Sequence, residues 1–89
     1  MSTLTIYDPN APVRIIEQDH DPDLEQLQLL VGGLIEIVYI PGNADLVINE
    51  EGKLIGAPYN KTASDLYKEH LLPGDYIVGV AVHVTPKMR

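Results

Sequence analysis

Cysteine is absent from this chain, and so are tryptophan and phenylalanine. The first absence removes disulfides, thiolate metal sites and cysteine nucleophiles together. A small secreted domain ordinarily needs such staples, so the composition points to an intracellular setting. The second absence leaves Leu, Ile and Val to build the core, with five tyrosines to cover its edges. Basic residues are scarce: six Lys and Arg stand against thirteen Asp and Glu, a net charge of −7. Such a surface repels phosphate, which argues against nucleic acid as a direct partner. Long apolar runs are missing too. Ile35–Ile40 and Ile77–Val82 are far too short to span a bilayer, so no membrane partner is expected. No basic region precedes the apolar Thr3–Ile6, and nothing there reads as a signal peptide.

What remains is one small domain of 89 residues. A chain of this size buries roughly 60–65% of the surface its unfolded form exposes, a thin margin that makes a homo-oligomer a reasonable expectation. Charge is unevenly placed. Residues 1–51 hold ten acids against Arg14 alone, whereas residues 52–89 hold three acids against five bases. An acidic face and a mildly basic one follow if the fold keeps the two segments apart.

Residues 1–12 read as an N-terminal arm or edge strand, with Thr3–Tyr7 extended and two prolines making a linker of 8–12. Residues 13–85 form the α+β domain, and 86–89 are a tail. Val13–Ile16 reads as a strand. Asp21-Pro22-Asp23-Leu24 starts a helix, with Asp21 as cap and Pro22 at the first helical position. Leu24, Leu27, Leu30 and Val31 fall on one face, and Gly32-Gly33 stops it. Leu34–Ile40, Asp45–Asn49 and Leu54-Ile55 read as a meander of antiparallel strands separated by turns. Asn60–Leu71 reads as a second helix capped by Asn60 or Thr62, with Ala63, Leu66, Tyr67 and His70 or Leu71 on one side. The final strand, Tyr76–Thr85, is apolar on both faces except at His83, which places it centrally in the sheet. The fold expected is an antiparallel, four- to five-stranded sheet with two packed helices.

Two constellations bear on function. Glu17, Asp19, Asp21, Asp23 and Glu25 alternate like the carboxylates of a calcium loop, but Leu24 stands where that loop needs glycine and Leu30 where it needs its closing glutamate. No metal site is expected from it. The plainer reading is a solvated loop and helix N-terminus favoured by the helix dipole, and the functional alternative is a docking face for a basic partner protein. The second is Tyr59-Asn60-Lys61-Thr62 at the start of the second helix. Free N–H groups, a lysine, a hydroxyl and an aromatic face there suit a nucleotide, while the plainer reading is a capping loop. His20, His70 and His83 lack zinc-type spacing. Ser2 and Ser64 lack a nucleophile turn. No catalytic residue and no cofactor are expected.

Leu27–Glu36, Leu46–Leu54, Pro58–Ala63 and Gly74–Gly79, in that order, resemble a family of small domains of unknown function found mainly in phages, plasmids and other mobile elements. The resemblance covers residues 13–84. It implies a setting, the cytoplasm of a bacterial host, and no reaction. In that setting small acidic accessory proteins counter host defence, by docking on a defence protein or by sequestering a nucleotide signal. The docking mode would use Glu17 to Glu25, and the sequestering mode Tyr59 to Thr62. The alternatives are a small nucleotide-acting enzyme, with His70 or His83 as acid or base, and a structural accessory subunit.

Overall fold

The computed structural model describes residues 1–88; Arg89, the end of the expected tail, lies outside the described residues. Its five strands are β1 (Ser2–Tyr7), β2 (Arg14–Gln18), β3 (Ile35–Val38), β4 (Asp45–Asn49) and β5 (Ala81–Thr85). They form one sheet in the order β2-β1-β5-β4-β3, antiparallel at every pairing. Two helices, α1 (Leu24–Val31) and α2 (Lys61–Tyr67), complete an α+β fold, with a short 3-10 turn at Lys68–His70 extending α2.

The strand pleat sorts the side chains into two cores. Leu4 and Ile6 of β1 lie opposite Val84 and Val82 of β5, and Val47 of β4 joins them. Leu27 and Val31 of α1 close this first core. The opposite face carries Leu46 and Ala81, covered by Ala63 of α2 and by Ile40, Ala44 and Ile77. The helices therefore pack on opposite faces of the sheet. Each core is small, so each fully buried aliphatic side chain, worth about 1.5–3 kcal/mol, is a large share of the stability.

Several elements differ from the sequence reading, each for a local physical reason. β1 lies inside the sheet, between β2 and β5, where an arm or edge strand was expected. Its alternation is the cause: Ser2, Leu4 and Ile6 are all buried on one face. Helix α1 starts two residues later than the Asp21 cap predicts. Asp23 has extended backbone, and its carboxylate accepts the Gln26 N–H at 2.8 Å. Asp21 instead accepts the Ser2 hydroxyl at 2.9 Å, tying the approach to α1 to β1. Leu24 is consequently exposed, and the buried positions of α1 are Leu27 and Val31.

Leu54-Ile55 is not a strand. Residues 51–56 are a run of turns, closed by Ile55 N–H to Glu51 C=O and Gly56 N–H to Lys53 C=O. Both side chains are exposed. The final strand is half its expected length. Residues 76–80 are irregular, with a single bridge between Val78 and Tyr59, and Gly79 at φ +72° bends the chain before β5 begins. β5 is central, as its apolar sequence predicts. The second helix runs from its Asn60 cap through α2 and ends as the 3-10 turn Lys68–His70, close to the expected bounds, but Ser64 is buried and Leu66 exposed. Among the described residues, no helix is long and apolar enough to cross a membrane.

Candidate functional site

A cleft of about 340 Å³ opens on the α2 side of the sheet, beyond the end of that helix. Its floor is β3 and β4, where Glu36, Val38 and Ile48 point into it. One wall is the turn Gly52–Leu54, and the other is formed by His70–Leu72 and Asp75–Val78. The volume is at the low end for small-molecule sites.

Backbone bonding explains why these segments meet. Asn49, buried at the end of β4, accepts the Glu51 N–H at 2.8 Å and donates to Val31 C=O at 3.2 Å. That bracket fixes the turn after β4 against the end of α1. Gly52 then runs so close to the opposite wall that an added Cβ would lie 3.0 Å from Val78 Cγ2. On that wall Ser64 Oγ accepts the Ile77 N–H at 2.8 Å and donates to Ile77 C=O at 3.1 Å. Both walls are thus held to the core. Tyr39 (76% exposed), Leu54 (85%) and Leu72 (77%) ring the opening.

The charged groups of the cleft are unbalanced. Glu36, Glu50 and Asp75 face a single lysine, Lys53, with His70 beside them. Lys53 forms an ion pair with Asp75 and lies 4.4 Å from the centre of the Tyr76 ring. The hydrogen bond from Lys53 holds the Asp75 carboxyl below its ordinary range, helped by the Tyr76 N–H at 2.8 Å. With its one cation engaged, the cleft presents net negative charge to a ligand.

The four residues Tyr59, Asn60, Lys61 and Thr62 do not converge on a common space. Asn60 is buried and fully occupied: it caps α2 by accepting the Ala63 N–H at 3.0 Å, and its amide donates to Tyr7 C=O and Gly79 C=O. Lys61 turns along the helix surface to Asp65 at 2.6 Å, a contact that raises its pKa. Tyr59 leans on Tyr76, with ring centres 5.9 Å apart, and is more than half exposed. Thr62 is exposed.

The acidic residues 17–25 occupy β2, the loop after it and the first turn of α1, and three of the five have local tasks. Asp23 caps α1, Asp21 holds Ser2, and Asp19 contacts His20 at 3.0 Å, which lowers its pKa. Glu17 and Glu25 are exposed. A second cavity, of about 390 Å³, joins Asp19, His20 and Asp21 to Met1, Asn43 and Lys87 from the chain ends and the β3–β4 turn. Among the described residues, no three metal-ligating side chains converge. The histidines lie apart. His70 lines the cleft, whereas His83 stacks on Tyr67 at 6.2 Å in the second core, where burial pushes its pKa down.

Comparison with known proteins gives one finding. The model of a family described as a domain of unknown function, DUF3846, matches residues 1–88. The chain belongs to that family. The match takes in β1, which the sequence resemblance left out, in keeping with the place of β1 inside the sheet. No curated protein and no solved structure gave a match.

Sequence reasoning missed Glu36, Lys53, Asp75 and Tyr76 as a group, because three separated segments bring them together. One signal was present. Leu54-Ile55, an apolar pair inside a turn bounded by Gly52 and Gly56, has no structural use there unless something covers it.

Proposed function

We propose that this chain is a non-enzymatic binding protein that docks on a partner protein, and that in a phage or mobile element it serves to counter host defence. The supporting observation is the cleft between β3–β4 and residues 70–78, ringed by exposed Tyr39, Leu54 and Leu72 and negative in its balance. Apolar side chains around a charged floor suit a protein surface, where an apolar centre contributes affinity and charge guides approach. The acidic residues Glu17, Asp19, Asp21, Asp23 and Glu25, on β2 and the segment leading into α1 at the opposite edge of the sheet, offer a basic partner a second negative surface. A nucleotide fits this site less well, since the carboxylates repel phosphate and the one lysine is paired with Asp75.

The test is a phage-challenge assay in bacteria that carry a nuclease-type defence, with and without the expressed chain. Expression should restore phage growth, and the double variant Leu54→Asp, Leu72→Asp should lose that effect. Both side chains are more than three-quarters exposed, so the variant should fold normally. Full activity in the double variant would overturn the cleft as the docking site. No effect of the unmodified chain across a panel of defences would overturn the anti-defence role.

A further inference from the structure

The floor of the cleft ends at a free sheet edge. β3 is the last strand of the sheet, paired only with β4. The Glu50 N–H bonds Leu34 C=O at 2.8 Å, which fixes the phase of the ladder. In an antiparallel pair the bonded residues alternate, so the backbone groups of Leu34, Glu36 and Val38 turn towards β4. Those of Ile35 and Ile37 turn outward, and among the described residues they have no backbone partner. An unpaired edge is a template for another strand unless it is covered or charged along its length.

The side chains beside this edge define what such a strand would carry. Glu36 points to the cleft face, next to Ile48 across the ladder. Ile37 points to the other face and is half exposed. A strand laid along β3 would set alternate side chains on those two faces. On the cleft face they would meet Glu36, with Glu50 and Asp75 nearby. On the other face they would meet Ile37 and Ile35. From this juxtaposition we infer that the site takes an extended segment of a partner protein, alternating basic and apolar residues, as a sixth strand on β3. The inference rests on the docking role proposed above and names the recognition mode: main-chain bonds to Ile35 and Ile37 give affinity, and the carboxylates of the cleft select lysine or arginine. Acidic segments are rejected by like charge, and the pairing weakens as salt screens the exposed carboxylates.

The test uses the full chain and two synthetic ten-residue peptides, one alternating valine with lysine and one alternating valine with glutamate. Amide chemical shifts and hydrogen exchange are followed by NMR, and affinity by fluorescence anisotropy. The lysine peptide should bind and slow exchange at the Ile35 and Ile37 amides by at least tenfold, while the glutamate peptide should not bind. Glu36→Lys should weaken the lysine peptide at least tenfold with an unchanged melting temperature, because Glu36 is exposed. Lysine peptides N-methylated at alternate residues, in each of the two phases, should separate into one that binds and one that does not. Equal binding of the two unmethylated peptides would overturn the inference. Shifts confined to Lys53, Leu54 and Tyr76, without protection at Ile35 and Ile37, would overturn strand addition and leave the cleft as a docking site. A lysine peptide that shifts no resonance at millimolar concentration would overturn both.

Discussion

Replacing Asn60 by aspartate separates two accounts of how this residue acts. If Asn60 only caps α2, aspartate is an equal substitute, because the two residues rank together at that position. The structure makes a different demand. The Asn60 amide also donates to Tyr7 C=O at 2.9 Å and to Gly79 C=O at 2.8 Å, from a side chain that is 1% exposed. Aspartate would keep the cap and turn both donors into acceptors aimed at two carbonyl oxygens. Leaving a buried polar group unpaired costs about 1–3 kcal/mol, so two of them cost about 2–6 kcal/mol. A domain of this size has a stability of roughly 4–13 kcal/mol, and each kcal/mol moves its melting temperature by about 4–8 °C. Asn60→Asp should therefore lower the melting temperature by on the order of 15–30 °C. Urea denaturation followed by circular dichroism measures the loss directly. Asn60→Ala serves as companion, losing the cap as well but adding no repulsion, and should fall by a similar amount. If aspartate stays within about 0.5 kcal/mol of the parent while alanine loses about 1 kcal/mol, capping is the whole role and the bracket to β1 is energetically idle.

Three further outcomes are expected. Gly52→Ala should destabilise by about 1–3 kcal/mol in chemical denaturation, because its Cβ would press on Val78 and widen the cleft mouth. Burial lowers the His83 pKa from 6.5, so the unfolded chain takes up a proton first as pH falls. Its contribution is intact above pH 6.5 and is lost as pH drops through the lower folded value; His83→Phe, which keeps the stack on Tyr67, should flatten a denaturation series across that window. Native mass spectrometry with a panel of cyclic and linear nucleotides should show bare protein, given that Asn60 is committed inside the fold; a retained nucleotide mass that Tyr59→Ala and Lys61→Ala abolish would restore the sequestering mode.

The fold class was legible because its signals are local. Gly32 ends α1 in the left-handed conformation, Asn60 caps α2, and the apolar β5 segment lies in mid-sheet. What misled were residues whose partners are distant. Asp21 looks like the better cap in sequence, but Ser2 claims its carboxylate. Tyr76–Val80 has strand-like composition, yet its backbone is drawn towards Ser64 and Pro58, as Ile77 N–H and Gly79 N–H bond to them. The acidic run was visible and the cleft was not. A charge pattern survives in one dimension, whereas Glu36, Lys53 and Asp75 become neighbours only after the sheet forms.

The pairing of β1 with β5 has a consequence for how the protein is made. Thr3 lies opposite Thr85 and Tyr7 opposite Ala81, so the two middle strands come from positions about eighty residues apart. Without β5, β1–β2 and β3–β4 are two separate hairpins, and isolated hairpins are only marginally stable in water. While the chain is still being translated, Leu4, Ile6 and Val47 have no Val82 or Val84 to pack against. Folding thus waits for the ribosome to release residue 85, and non-local closure of this kind is slow. A message cut short a few codons before that point would yield an unfolded chain for the proteases rather than a weakened domain.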